Sequence, residues 1–565
     1  MESEPTALVA FFVLILILYI RRIAYPRPYP GIPYNRHSAN RFLGDLPELL
    51  EAVKTTKDPA KFAFQQCRKL QSPVIQLFLR PFSRPFIFID DVREVEDLIV
   101  TRTREFDRAP TTIAVFKPFV PHSSIIKLTT PEWRAQRRIW TDVMSKDFLT
   151  QVAASRMHKA GMDLVELWRL KADIADGHAF FVQEDCELAT FDAIWAAILG
   201  SELNGVRDEI RQIRAKASSV KQAQDKDVVA SIPAVERGEM YNAAYYFNLT
   251  VEKTLTSPAP PLHHWILRQT PTYKKHWAVT QRVISTLIKD ARERFSNLSD
   301  AEMAGRADTC AMDLVLRREL SASQKANVLA GVKPPMPEEI HDELFMFLIA
   351  GHETTATTLA WATKFLANNP AVQIKLRHAL QSAFPDTTQP SAHEILTTEI
   401  PYLDATLEEL TRLANIVPRL VRTATVDTQI LGYPVPKGAI IMASSYVADE
   451  PFDIPEVQRG EHSQSSKKNV KSYYTGPDMD EFRPERWIDQ EGRFDMHALP
   501  RLAFSAGPRA CFGKKLALQE LRIMLTLVLL NFKFEAIPAH LNSPYGRQKA
   551  LRAPQQCYVR LTALT

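Results

Sequence analysis

The sequence predicts a mainly α-helical protein with a minor β-sheet region, a single large domain set behind an N-terminal transmembrane helix. Three observations carry that prediction. Apolar residues recur with helical spacing through most of residues 40–420, the period of helices that bury one face. Only short stretches read as strands. One unbroken apolar run, Ala7 to Ile20, stands at the N-terminus.

That run would make a helix roughly 21 Å long, short of a hydrocarbon core of about 30 Å. Arg21 and Arg22 can snorkel, and Ile23, Ala24 and Tyr25 extend the apolar surface, so a span is within reach. A cleaved signal peptide has an apolar region this short, but it carries positive charge before that region. Here Glu2 and Glu4 precede the run, and Arg21, Arg22 and Arg27 follow it. This asymmetry favours a retained anchor with the bulk of the chain on the cytoplasmic side. Residues 1–25 are therefore expected to form the anchor. Residues 26–35, with Pro26, Pro28, Pro30 and Pro33, are expected to form a stiff, extended linker. Residues 36–565 are expected to form the folded domain. The sequons at Asn248 and Asn297 would not meet the glycosylation machinery in that orientation and read as chance matches.

Composition sustains a large core: 45% of residues are hydrophobic and 24% charged, which excludes global disorder. The 70 basic and 65 acidic residues leave a net charge of +5, too balanced to point to nucleic acid. The five cysteines are Cys67, Cys186, Cys310, Cys511 and Cys557. They are widely spread with no C-x-x-C pair, so neither a zinc site nor a disulfide framework is indicated. Any cysteine chemistry falls to one residue.

Individual elements follow from local signals. Pro73–Leu79 and Pro85–Ile89 flank the turn-like RPFSR and predict a hairpin. Val426–Ser445 is strand-rich, with turns at Gly432, Pro434 and Pro436. The longest helix is expected from about Pro337 to Asn369. It would be roughly 50 Å long, with Pro335 and Pro337 favouring its start and Asn368, Asn369 and Pro370 its stop. Ile454–Gly476 is polar and lysine-rich and reads as an exposed loop.

The most specific feature is the segment from Phe504 through Gly507, Arg509 and Cys511 to Gly513. A lone thiolate ligand must be deprotonated, which calls for N–H donors and positive charge around it. Its loop must approach a flat macrocycle closely, which glycines permit. A helix starting after the cysteine adds a favourable dipole, and Leu516–Phe532 reads as that helix. Arg509 offers charge for a propionate. A buried structural cysteine in a glycine-rich turn is the plainer alternative. The segment resembles the cysteine signature of the cytochromes P-450, F-x-x-G-x-R-x-C-x-G, at every fixed position. The resemblance implies the cytochrome P-450 fold, haem b as cofactor and Cys511 as the axial iron ligand.

Other segments gain meaning beside it. Glu409 and Arg412 share a helix face, as abundant surface pairs do. With Arg486 in Phe482-Arg-Pro-Glu-Arg-Trp487 they resemble the family's E-x-x-R and P-E-R-W elements, which implies one buried structural charge network. Trp133 and Arg137 share a helix face and resemble W-x-x-x-R. Both can donate to a propionate, although the spacing also suits a plain cation–π pair. Arg422 follows Pro418 as in the family's P-x-x-x-R and is a further propionate candidate.

Ala350-Gly-His-Glu-Thr-Thr355 lies within the long helix. Glycine and threonines are poor choices there, so the segment reads either as a tolerated irregularity or, functionally, as a local bulge that makes room for dioxygen. It resembles the family's A/G-G-x-D/E-T element, which implies proton delivery by Glu353 and Thr354. His352, at the variable position, reads as packing or solvent-facing rather than a second axial ligand.

The resemblance covers essentially the whole chain, the polar stretch Ile454–Gly476 being the main departure. It implies a monooxygenase that inserts one oxygen atom of dioxygen into a hydrophobic small molecule. No nicotinamide or flavin motif is present, so electrons are expected from NADPH–cytochrome P-450 reductase at the endoplasmic reticulum membrane. Lys514, Lys515, Arg134 and Arg138 are candidates for docking it, or an ordinary solvated face. Thr111–Leu128, rich in apolar residues, corresponds to the region that lines the family's substrate pocket. Similarity to fungal members points to secondary metabolites such as terpenoids or polyketides. A haem-thiolate isomerase or dehydratase, and a non-enzymatic haem binder or gas sensor, are the competing functions.

Overall fold

The structure is a computed structural model, and it describes residues 11–15, 25–56, 59–257, 259–296, 298, 309–326, 336–445, 452–460, 463–464, 478–548 and 550–564. Among these residues no helix is long and apolar enough to cross a membrane. The anchor expected at 1–25 lies almost wholly outside the described residues; 11–15 are helical with exposed side chains. The chain falls into two compact units, each with its own core. The smaller comprises residues 1–110, 417–479 and 505–509, and the larger 111–416, 480–504 and 510–565.

The smaller unit is built on a five-stranded sheet. Its strands are β1 (Val74–Leu77), β2 (Phe86–Ile89), β3 (Phe106–Arg108), β4 (Arg419–Ala424) and β5 (Ile440–Ser444), in the order β1-β2-β5-β4-β3. The hairpin expected from the flanking turn is β1–β2, antiparallel with Val74 opposite Ile89. β2 then runs parallel to β5. Every residue of β1 and β2 is buried, which is why these runs lack the alternation of half-exposed strands. The strand-rich stretch after Val426 resolves into β5 and a small hairpin, Thr428–Ile430 with Tyr433–Val435. Gly432 turns it with a φ of +79°, a conformation costly for residues with a Cβ.

The proline-rich linker is extended, and it is also fastened. Gln76 of β1 donates from Nε2 to the carbonyls of Tyr29 and Ile32 at 2.9 and 2.8 Å. Its Oε1 accepts from the Tyr29 N–H.

Most described residues of the polar stretch after Ile454 are exposed, as its composition predicts, but Arg459 and Ser463 are buried. Arg459 is buried and pairs with both oxygens of Asp91 at 2.8 Å and with Glu94 at 3.3 Å. Asp91 and Glu94 open helix α1 (Val92–Val100). Arg93 of the same turn grips Glu456 at 2.8 and 3.1 Å. The stretch is thus an exposed loop whose charged side chains also fasten it to α1. Residues 461–462 and 465–477 lie outside the description.

The larger unit is helical. The elements that build the site are α2 (Pro131–Ile139), α3 (Gln183–Leu199), α4 (Pro337–Asn368), α5 (Pro401–Ala414) and α6 (Lys514–Asn531). α4 spans 32 residues, with Pro337 in its first turn and Pro370 just past its end, the expected boundaries to within a residue. It is buried along most of its length, as a helix apolar on several faces must be. The α4 backbone remains α-helical throughout, so no bulge appears at Ala350–Thr355. The described π-helical turn lies instead at Phe148–Ala153.

Candidate active site

The cysteine loop leads into α6, whose first residue is Lys514. Its backbone is closed by the Cys511 N–H donating to the Phe504 carbonyl at 2.9 Å. Of the five cysteines, four are buried and Cys511 alone is exposed. The residue is exposed, yet protein atoms crowd its thiol closely enough to push the pKa up. The N–H groups of Gly513 and Lys514 and the charges of Arg137 and Lys514 act in the opposite direction. The expected donors and positive charge are thus present, but burial outweighs them.

α2 and α4 meet this loop. Thr130 caps α2 by accepting from the Trp133 N–H. That sets Trp133 and Arg137 on one face, with the guanidinium 5.5 Å from the indole ring. Arg137 also donates to the Ala510 carbonyl at 3.0 Å and lies 4.9 Å from the Phe512 ring. Phe347 of α4 stacks on Phe512, 5.7 Å between centroids and 7° from parallel. Helix, loop and central helix are therefore joined around Phe512.

The loop's approach is supported by a buried carboxylate. Glu409 on α5 has no exposed surface. It accepts from Arg412 Nε and Nη2 at 2.8 and 2.9 Å, from Arg486 Nε at 2.9 Å, from the Arg483 N–H at 3.0 Å and from Trp487 Nε1 at 2.9 Å. Sequence spacing suggested the Glu409–Arg412 pair, and the family resemblance implied Arg486 as the third charged member. The indole and the backbone donor carry no spacing signal.

On α4 the threonines explain why the helix does not bulge. Thr354, Thr355 and Thr358 donate to the carbonyls of Ala350, Gly351 and Thr354 at 2.8, 3.2 and 2.9 Å. Hydroxyls bonded back one turn keep the helical frame. Gly351 serves packing: a Cβ there would stand 2.8 Å from Ile194 Cγ1 on α3. His352 is buried, its Nδ1 donating to the Leu348 carbonyl at 2.7 Å and its Nε2 accepting from Asn248 at 3.1 Å. Burial lowers its pKa to about 4, so it is a neutral packing residue, as expected. The same bond buries Asn248, which suits a chance sequon; Asn297 lies outside the described residues. Ala350 is exposed on a helix that is otherwise largely buried, and Thr354, one turn on, is half-buried. Glu353 lines a small cavity with Gln183, Glu187, Tyr245 and Asn248.

A profile of the cytochrome P450 family matches residues 42–477 and 463–560. The chain belongs to the cytochrome P450 family. It is 33% identical to cytochrome P450 monooxygenase GME11363 of Pestalotiopsis microspora, across 100% of this chain and 99% of that one. It is 30% identical to cytochrome P450 monooxygenase TRI13 of Fusarium sporotrichioides, across 97% and 98%. The crystal structure of the cytochrome P450DA heme domain superposes with a TM-score of 0.67 at 20% identity, across 96% of this chain and 99% of that one. That likeness shows the fold. The chain is thus a cytochrome P450 monooxygenase, similar to fungal members of the family. It uses dioxygen and an organic substrate, and its cofactor is a haem-thiolate iron.

The residues of this P450 fit that group. Cys511 is the exposed cysteine, with two N–H donors beside its thiol. At Gly513 no protein atom comes within 4 Å of where a Cβ would stand, which leaves that side of the loop open to a flat ligand. The smaller unit holds the other anion-binding candidates. Arg509 lies 3.4 Å from Asp107, and burial lowers the Arg422 pKa while Asp107 opposes the shift. Gly507 has a φ of +68°, and a Cβ there would stand 2.1 Å from the Ile99 carbonyl oxygen, so only glycine fits.

Two buried acids of the larger unit escaped the sequence. Glu343 accepts from the Ser124 N–H at 2.6 Å, Ser123 Oγ at 3.1 Å and Gln136 Nε2 at 3.1 Å. It fastens the Thr111–Leu128 segment to α4. Glu520 is buried on α6 beside Thr355. A lone acid inside an apolar run such as LALQELRIML was the available signal for Glu520.

Proposed function

We propose that this P450 inserts one oxygen atom of dioxygen into a hydrophobic small molecule, such as a terpenoid or polyketide, by hydroxylation or epoxidation. Cys511 holds the iron of haem b, and Trp133, Arg137, Arg422 and Arg509 receive its propionates. The observation that carries the proposal is the exposed Cys511, in the loop joined by Arg137 and Phe347 to α2 and α4. When bound, the haem thiolate supplies O–O bond cleavage. The protein supplies position and protons.

Thr354 and Glu353 handle the protons. The Thr354 hydroxyl spends its own proton on the Ala350 carbonyl, so its remaining lone pairs face outward as acceptors and can hold a water in a fixed orientation. Glu353, from its cavity beside Glu187 and Gln183, connects that water to a proton source. Asn248 and Leu348 keep His352 turned away. Glu409, Arg412 and Arg486 fix the approach to the cysteine loop, and Phe504, Gly507 and Gly513 give the loop its close contact.

Residues 1–25 serve as a single-pass anchor in the endoplasmic reticulum membrane, 26–35 as the linker and 36–565 as the cytoplasmic catalytic domain. The charge asymmetry around the apolar run supports that orientation. Electrons come from NADPH through a cytochrome P450 reductase that docks near Lys514, Lys515, Arg134 and Arg138. Expression of the full chain with that reductase, followed by membrane fractionation and profiling against terpenoid and polyketide scaffolds, tests the proposal. Loss of the thiolate-type ferrous–CO spectrum, or NADPH consumption without product on every scaffold, would count against it.

A further inference from the structure

The run YYFNLT places Asn248 in the middle of the helix Glu239–Thr256, on its buried side. The side chain is 6% exposed, so both ends of its amide need partners. One end is fixed by His352. The Nδ1–H of His352 donates to the Leu348 carbonyl at 2.7 Å, and burial keeps the ring neutral. A neutral imidazole has a single N–H, so Nε2 can only accept. Asn248 must therefore turn its NH₂ toward the ring, where it donates at 3.1 Å. The Oδ1 atom is left on the other side of the amide, buried and without a hydrogen-bond partner.

Asn248 also forms part of the wall of a cavity of about 20 Å³, with Glu353, Glu187, Gln183 and Tyr245. A single water needs roughly 10–15 Å³ and two to four polar partners, and this cavity provides both. Glu187 is 8% exposed. Its Oε1 accepts from Gln183 Nε2 at 3.0 Å, which fixes the carboxyl at the wall.

We propose that Asn248 Oδ1 holds a water, separate from the one at Thr354, between the Glu353 and Glu187 carboxyls, and that this water passes protons from Glu187 to Glu353. Asn248 is a positioning residue, and Glu187 is the next proton carrier behind Glu353. The water donates one proton to Asn248 Oδ1 and the other to the Glu353 carboxylate, and it accepts from the Glu187 O–H. Transfer breaks the Glu187 O–H bond and forms one on the water. The water's O–H toward Glu353 breaks, and the Glu353 O–H forms. The water is regenerated and the negative charge has moved to Glu187. Glu187 takes its next proton from solvent at the first turn of α3, where Glu184 is exposed. The relay rests on reading Glu353 as the proton carrier of the proposed function, whereas the binding of the water does not.

A crystal structure of the haem-loaded protein, at a resolution that shows single waters, tests the first part. Wild type should hold a water within hydrogen-bond reach of Asn248 Oδ1 and both carboxyls, and Asn248→Leu should lose it. A wild-type cavity without that water, or its persistence in Asn248→Leu, would overturn the proposal. The relay is read as product formation with reductase present, in H₂O against D₂O. Asn248→Leu and Glu187→Gln should each lower the rate several-fold and raise the H₂O/D₂O ratio, because proton transfer then limits turnover. Asn248→Asp should recover most of that loss, since its carboxyl and His352 share one proton and an oxygen still faces the water. A purely structural amide predicts a loss with an unchanged ratio and no rescue by aspartate, and that result would overturn the positioning role. Should Asn248→Leu not fold, an unchanged ratio in Glu187→Gln overturns the relay. Failure of the Glu353 reading shows separately, as unchanged product and ratio in Glu353→Gln with the water in place. That result removes the relay and leaves the water.

Discussion

Truncating either guanidinium at Glu409 should remove the folded, haem-loaded state rather than slow turnover. The carboxylate has no exposed surface and receives hydrogen bonds from two arginine side chains, one indole and one backbone N–H. Arg412→Ala removes two of these bonds and one of the two compensating charges. Arg486→Ala removes one bond and the other charge. Breaking a buried pair from one side typically costs about 3–5 kcal/mol, a large share of the roughly 5–15 kcal/mol that holds a protein folded. Trp487→Phe removes one donor to the same charge and leaves both cations in place. It should cost about 1.5–3 kcal/mol, the range for a hydrogen bond to a charged group. The order of loss, either arginine variant above the tryptophan variant, is specific to a buried anion. Thermal unfolding of purified protein, followed by haem absorbance and circular dichroism, measures it. Normal haem content and an unchanged unfolding midpoint in both arginine variants would refute the reasoning.

Cys511→Ala should leave a protein without the red-shifted ferrous–CO band of thiolate-ligated haem, while alanine at any of the four buried cysteines should retain it. Thr354→Ala should sustain NADPH use while peroxide rises and product falls. A positioned proton donor is worth about 10²–10⁴-fold, so product should drop far more than haem content; unchanged coupling would remove Thr354 from the mechanism. Stability should also fall with acid. His352 in the native state titrates near pH 4, against about 6.5 in an unfolded chain, so between those values the unfolded chain takes a proton that the native ring refuses. His352 thereby favours unfolding progressively from pH 6.5 down to 4, by up to about 3 kcal/mol, and His352→Leu should flatten the unfolding midpoint across that window. Glu520 acts with the opposite sign. Its native pKa of about 8 lies above that of an unfolded carboxyl, so it erodes stability as pH rises from about 4.5 toward 8. Glu520→Gln should flatten that limb.

Much of the site was legible because its chemistry is local in sequence. The cysteine loop packs its glycines, arginine and sulfur into ten consecutive positions, and each has a separate physical reason to be there. The β1–β2 hairpin and the ends of α4 were legible for the same reason, since turn residues and prolines act on their own neighbours. What escaped depends on partners far along the chain. Glu343 answers to Ser123, Ser124 and Gln136, more than 200 residues away. Arg459 answers to Asp91 and Glu94 across an even longer separation. No window of composition contains both members of such a pair. A polar stretch therefore reads as solvated even where its charges are buried against opposite charges.

At Ala350–Thr355 the structure shows the tolerated irregularity and not the bulge, for a different reason. Glycine and threonine count against a helix when each is weighed alone, glycine by about 1 kcal/mol against alanine. In place, each penalty is offset by something propensity does not include. The threonine hydroxyls bond back to carbonyls one turn earlier, and the glycine lets α3 and α4 come within a distance that a Cβ would forbid. A regular helix also suits the proposed chemistry. It presents Thr354 one turn beyond the exposed Ala350, with its hydroxyl proton already committed and its lone pairs free to accept. A bulge would free backbone carbonyls, whereas this helix holds them and leaves the side chain to handle the proton.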